Sequence, residues 1–244
     1  MKYFTHLHLH TSYSLNSGTI KIDNLVNAAK KKDITALAMT DYLNIFGAVK
    51  FYNKCIKARI KPIIGCEIPF VTEQNNRIDN IVLLCQDIDG YYNLNKILSS
   101  IHKSRSSTLG ATFELLKEYN TGLLCLSGGR NGLCGVSVLQ TPVDTTRKII
   151  ENISKAFNDR FYIEIDRTNR ANENEYNNIA LALAKELDLP IVASNDVLFI
   201  NDSDYEANEV KVSIIQKTKL DDRANQDEYS PDQYFKSQDE MLSL

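Results

Sequence analysis

The sequence predicts an α/β fold built on a mostly parallel sheet that closes, or nearly closes, on itself. Three observations carry this. Short apolar runs of strand length alternate with helix-length segments about seven times. No linker or internal repeat interrupts the series. The length, 244 residues with 43% hydrophobic and 24% charged, suffices for one core of that kind.

The elements follow in order. Tyr3–His10 alternates apolar and polar and reads as the first strand. Ile22, Leu25, Val26 and Ala29 fall at helical spacing, and Lys30, Lys31 and Lys32 suit the C-terminal end of that helix. Ala36–Thr40 is a short strand, and Val49, Tyr52, Cys55 and Ile56 mark the face of the next helix. Pro62–Cys66 and Ile68–Val71 read as strands, with a hairpin through Glu73–Asn76 leading to Ile81–Cys85. Leu94, Ile97, Leu98 and Ile101 mark a helix, Ser104–Gly110 a loop, and Phe113, Leu115 and Leu116 a short helix. Leu123–Ser127 is a strand ending in Gly128-Gly129. A helix through Ile149, Ile150, Ile153 and Phe157 precedes the strand Phe161–Ile165. The helix Asn172–Leu187 stops before Pro190, and Ile191–Ser194 is the last strand. Beyond it, Asp202–Lys217 is helical and polar, Asp221–Pro231 is a charged loop, and Asp232–Leu244 opens a helical pattern that stops, as in a chain that continues.

Composition excludes several classes. No apolar run reaches the roughly 18 residues of a membrane span, and the start MKYFTHLHLH lacks a signal-peptide core, so a cytoplasmic protein is expected. A net charge of −3 argues against strong direct binding of DNA by this domain. The five cysteines are odd in number and scattered, as reduced core thiols would be.

The strongest chemical signal is His6, His8 and His10. Alternate residues of a strand share a face, so the three imidazoles are expected to project together as ligands for a divalent metal. The strand ends, where barrels carry their chemistry, offer Asp41, Glu67 and Asp196 as acidic partners. Any one of them alone reads as a helix cap; their convergence favours a metal. Gly128-Gly129-Arg130 reads as a tight turn before it reads as a phosphate cradle. Lys54, Lys57, Arg59 and Lys61 read as a solvated helix face.

Six ordered blocks carry a family resemblance: HLHLHTSYS, ALAMTDYLNIFGAVKFYNKCIKARIKPIIGCE, GYYNLNKILS, GLLCLSGGRNG, LPIVASNDVLFI and YSPDQYFKSQDEM. Together they resemble the N-terminal PHP (polymerase and histidinol phosphatase) domain of bacterial DNA polymerase III alpha subunits. The resemblance implies a distorted seven-stranded (β/α) barrel over residues 1–200. It implies that 201–244 extends the domain toward a polymerase region absent from this sequence. It also implies a multinuclear metal site of which His8, His10, Glu67 and Asp196 keep ligands. Ser17, Tyr42, Asn80, Gly129 and Leu198 stand where the family expects others. Leu and Gly offer a metal nothing, and a Tyr phenol titrates near 10. The remnant is then one divalent ion (Zn, Mn or Mg) at most, or none.

Three functions follow from the resemblance. The first is a catalytically degenerate scaffold that stabilises the rest of the polymerase alpha chain and docks its proofreading exonuclease subunit, with no membrane association. The second is an active metal-dependent phosphoesterase or 3′–5′ exonuclease, against which the lost ligands argue. The third is a free-standing phosphatase, against which the polymerase-type blocks argue.

Overall fold

The computed structural model describes residues 4–15, 17–72, 77–104, 109–218 and 228–244. The expected hairpin at Glu73–Asn76 and most of the loops at Ser104–Gly110 and Asp221–Pro231 lie outside them.

In chain order the elements are α1 (Ile22–Lys31), β1 (Ala36–Met39), α2 (Ala48–Ala58), β2 (Lys61–Thr72), β3 (Arg77–Cys85), α3 (Ile88–Lys103), α4 (Phe113–Tyr119), β4 (Leu123–Leu126), α5 (Val143–Phe157), β5 (Phe161–Asp166), α6 (Glu173–Glu186), β6 (Ile191–Ser194), α7 (Tyr205–Gln216) and α8 (Gln238–Leu242). The strands pair in chain order, each with the next. The chain divides into two compact units.

The first unit comprises Met1–Ile64, Arg167–Ala171 and Ser194–Leu244. Its core gathers Leu9, Ile22, Leu25, Leu37, Met39, Phe51, Val197 and Phe235. Helix α1 buries the four residues its spacing picked out, Ile22, Leu25, Val26 and Ala29. β1 runs parallel to the first residues of β2, with Ala36 opposite Lys61 and Met39 opposite Ile64. Phe235 is fully buried, so the segment beyond residue 201 contributes to this core.

Two expectations change here. The Tyr3–His10 segment is extended without being a regular strand. Leu9 forms a single parallel bridge with Val197. The Ala38 N–H donates to the His6 carbonyl (3.0 Å) and the His10 N–H to the Val197 carbonyl (2.8 Å). Side chains interrupt the ladder: Leu9 N–H donates to Thr40 Oγ1 (2.8 Å) and Thr11 N–H to Asp41 Oδ1 (2.6 Å). On α2 the buried face is Ala48, Phe51 and Cys55, whereas Val49, Tyr52 and Ile56 are exposed. The helix has two apolar stripes, and the one carrying Phe51 faces the core, where a Phe side chain adds roughly 1.5–3 kcal/mol by burial.

The second unit comprises Gly65–Asp166 and Asn172–Ala193. β2 is one continuous strand, not two, and runs antiparallel to β3, which is also antiparallel to β4; β4 and β5 are parallel. The sheet is therefore less uniformly parallel than the alternation suggests. Only four residues connect β2 to β3, which suits a hairpin and is far short of a parallel crossover. Helix α3 buries Leu94, Ile97, Leu98 and Ile101, and α5 buries Ile149, Ile150, Ile153 and Phe157, as their spacing requires. The Asp87 side chain caps α3 by accepting the Gly90 N–H. All five cysteines are free thiols; burial pushes those of Cys55, Cys85 and Cys134 up to about 12.

Candidate metal centre

In the first unit the extended chain through His8 and His10 meets the turn after β6, which carries Asp196. Asp196 sits in the left-handed region (φ 42°). That backbone turns its carboxylate toward the two histidines. The imidazole Nε2 atoms of His8 and His10 stand 3.9 and 3.5 Å from Asp196 Oδ1. The two rings are 5.2 Å apart, and one ligand atom from each of the three residues lies within 4.8 Å of the others. His10 Nδ1 is paired with Ser14 Oγ (3.0 Å), which fixes the ring and leaves Nε2 toward the carboxylate.

The other oxygen of Asp196 is treated differently. Oδ2 accepts from Arg170 Nη1 (2.8 Å) and from Gln233 Nε2 (3.0 Å). Burial alone would raise this carboxyl. The Arg170 guanidinium, the hydrogen bond from His10 and the charges of His8 and His10 outweigh burial and hold it well below the usual carboxylate range.

Among the described residues, His8, His10 and Asp196 converge closely enough to hold a metal ion. Around a tetrahedral zinc with bonds near 2.0–2.1 Å, ligand atoms stand about 3.3 Å apart. The 3.5 and 3.9 Å separations on the Oδ1 side are a little wider than that. On the Oδ2 side two hydrogen-bond donors, one of them cationic, hold the oxygen.

The third histidine of the run does not join. His6 packs edge-on against Phe4 (4.9 Å) and beside Phe235 (4.7 Å), and its Nε2–H donates to the Lys236 carbonyl (2.9 Å). Because the segment is not a regular strand, spacing by two does not place all three rings on one face. Burial lowers the His6 imidazole to about 4; Lys236 and Lys32 add to that, against the hydrogen bond to the Lys236 carbonyl. Asp41 accepts from both the N–H and the hydroxyl of Thr11 (2.6 and 2.7 Å), so it ties down the extended N-terminal segment and does not cap a helix; the next helix, α2, has Gly47 at its N-cap and no side-chain cap. Burial raises its carboxyl, and the Thr11 hydrogen bonds oppose the rise.

The Ser17 carbonyl accepts from Lys211 Nζ (3.1 Å), Tyr42 N–H donates to Ser14 Oγ (3.1 Å), and the buried Leu198 donates its N–H to the Gln233 carbonyl (2.9 Å). In the second unit, Asn80 Nδ2 donates to Glu67 Oε1 (2.9 Å). Gly129 has φ 57°, and a Cβ there would come 2.9 Å from Asp166 Oδ2.

That unit holds a cluster of its own around the turn after β4. Gly128 N–H donates to Glu164 Oε2 (3.1 Å) and Arg130 N–H to Asp166 Oδ2 (3.2 Å), while Tyr176 O–H donates to Asp166 Oδ1 (2.9 Å). The backbone donors that a phosphate cradle would need are thus directed at protein carboxylates, in keeping with a tight turn. Sequence reading passed over Glu164, Asp166, Arg170 and Gln233. Glu164 and Asp166 alternate on β5 and could have been found as same-face acids at a strand end. Arg170 and Gln233 carry no comparable local signal.

Comparisons with known proteins agree on the family. The model of the PHP domain matches residues 6–168. The chain is 34% identical over 243 residues to the DNA polymerase III subunit alpha of Pasteurella multocida, 35% over 246 residues to that of Vibrio cholerae, and 36% over 244 residues to that of Escherichia coli K12. Each match covers 99% of this chain and 21% of the relative, so the chain spans about a fifth of the length of these proteins. Among solved structures, an amidohydrolase from Chromobacterium violaceum superposes with a TM-score of 0.61 at 14% identity, covering 80% of this chain and 87% of that one. A protein from Bifidobacterium adolescentis described as a metal-dependent phosphoesterase gives 0.54 at 12% identity, covering 79% and 86%. These likenesses establish the fold, α/β of PHP type. Among the described residues no helix is long and apolar enough to cross a membrane.

Proposed function

The chain belongs to the PHP domain family, and from that premise we propose that it serves as the PHP domain of a DNA polymerase III alpha subunit, as a catalytically decayed scaffold in the cytoplasm. In this reading it stabilises the remainder of the polymerase chain and seats the proofreading exonuclease subunit. Residues 1–200 are the barrel proper, and 201–244 lead toward the polymerase region. The observation that carries the reading is the state of Asp196: one oxygen faces His8 and His10, and the other is held by Arg170 and Gln233.

His8, His10 and Asp196 would hold one divalent ion, zinc, manganese or magnesium, which would supply Lewis acidity there. A lone ion does not provide the pair that clamps both attacking and leaving oxygens in two-metal phosphoester chemistry. Ser17, Tyr42, Asn80, Gly129 and Leu198 do not restore the missing ligands. The net charge of −3 suits a domain that faces protein more than DNA.

A second reading, a live metal-dependent phosphoesterase or 3′–5′ exonuclease, draws on the same three converging donors. The two separate in one assay. The 244-residue chain is incubated with p-nitrophenyl phosphate and with a 3′-labelled oligonucleotide, in manganese or zinc. The scaffold reading expects no turnover above buffer. Turnover abolished by His8→Ala or Asp196→Ala would establish the second reading instead.

A further inference from the structure

We propose that Arg170 is a resident cation of the Asp196 centre, holding on Oδ2 the place that a second metal ion would need, so that the centre is charge-balanced and folded without metal. This deepens the reading of a decayed metal centre and rests on it.

The geometry is that of a built contact. The Arg170 side chain is 1% exposed, and its Nη1 lies 2.8 Å from Asp196 Oδ2. Its Nε donates to Thr168 Oγ1 (2.8 Å), which orients the guanidinium plane. The Thr168 carbonyl in turn accepts from Ser230 Oγ. Gln233 donates to the same Oδ2 (3.0 Å) and to the Asp196 carbonyl (3.1 Å), and its own Oε1 accepts the Ser230 N–H (3.0 Å). Both donors on Oδ2 are therefore anchored by further hydrogen bonds.

Charge counting gives the consequence. A guanidinium keeps its proton at any ordinary pH. The Asp196 carboxylate and the Arg170 guanidinium paired with it sum to zero. A divalent ion entering on the Oδ1 side would meet a fixed positive charge across a single carboxylate, in a buried setting that screens it poorly. An ion on the Oδ2 side would have to displace two anchored donors. Without Arg170 no guanidinium offsets the Asp196 carboxylate, which favours a cation.

The test compares wild type, Arg170→Leu and Arg170→Lys, with zinc and manganese as probes. Thermal melts in EDTA and in added metal are combined with calorimetric titration. Wild type is expected to melt at the same temperature in EDTA as in zinc. Arg170→Leu is expected to bind zinc at least tenfold more tightly than wild type and to gain melting temperature from it. Arg170→Lys, which keeps the charge, is expected to bind zinc as weakly as wild type. A wild-type melting temperature lowered by EDTA, or equal zinc affinity in wild type and Arg170→Leu, overturns the proposal. Should Arg170→Leu fail to fold, refolding with and without zinc decides: rescue by zinc supports the proposal. If it folds in neither condition, the wild-type melt decides, since a melting temperature lowered by EDTA overturns the proposal by itself. Hydrolytic turnover by wild type would overturn the scaffold reading alone, since these melts and titrations do not measure activity.

Discussion

Asp196 and Asp166 are both aspartates at the end of a strand, one in each unit, and the fold uses them in opposite ways. Asp166 accepts from donors fixed in the backbone and in a helix. Tyr176 O–H takes one carboxylate oxygen, Arg130 N–H the other, and Asn177 Nδ2 donates to its carbonyl (2.8 Å). Asp196 is divided between a guanidinium and an amide on Oδ2 and two imidazole nitrogens on Oδ1. Donors fixed in the backbone or in a helix make a carboxylate part of the scaffold. An oxygen that faces two imidazole nitrogens belongs instead to a set of metal-type donors. The difference lies in the neighbours and not in the residue type.

The sharpest way to break the Asp166 side of this contrast is at the turn that aims its donors. Gly128 has φ 90°, and a Cβ there would lie 2.0 Å from the Asn80 carbonyl oxygen, a backbone atom that cannot step aside. Gly128→Ala is expected to cost about 4 kcal/mol or more in urea unfolding. A loss below about 1 kcal/mol would mean that the turn is not the rigid device described.

A smaller effect sharpens the contrast within the first unit, between His6 and its two neighbours. The His6 imidazole is lowered from 6.5 to about 4 by burial. Between those values the unfolded chain takes up a proton that the folded chain refuses. Stability from this group is therefore fully present above about pH 6.5 and falls as the pH drops toward 4, by about 3 kcal/mol in total. Denaturation across pH 4–7 in chelator should show this slope, and His6→Phe should flatten it. An unchanged slope in the variant would assign the effect to other groups.

Smaller again, Asp166→Ala is expected to cost about 2 kcal/mol through the donors it strands. Zinc titration of the variant should match wild type, because this acid serves the fold. A loss of zinc binding would erase the distinction between the two aspartates.

Much of this architecture was legible in the sequence. The buried faces of α1, α3 and α5 follow from their apolar spacing, since a helix exposes its periodicity directly. The hairpin reading anticipated that β3 reverses on β2, but its antiparallel pairing with β4 was not legible, because an apolar strand reads the same whichever way it pairs. The face of α2 misled because the helix carries two apolar stripes, and tertiary packing chose between them. At the site, His8, His10 and Asp196 stood out as residue types with few ordinary reasons to converge. Arg170 and Gln233 did not, since they reach Asp196 across 26 and 37 positions of chain. Their role depends on where the chain returns, and a motif records only neighbours in sequence.

The composition of the first unit has a consequence for how the chain is made. Its core joins Leu9 and Ile20 to Val197 and Phe235, and Phe4 exchanges hydrogen bonds with Gln238, 234 positions away. At synthesis rates of about 5–20 residues per second, the N-terminal histidine segment waits on the order of 10–50 s for the residues that cover it. The second unit draws most of its residues from the continuous stretch Gly65–Asp166 and has far less to wait for. On the ribosome the middle of this chain can therefore acquire structure before its beginning, and the arginine that balances Asp196 emerges ahead of the aspartate it meets.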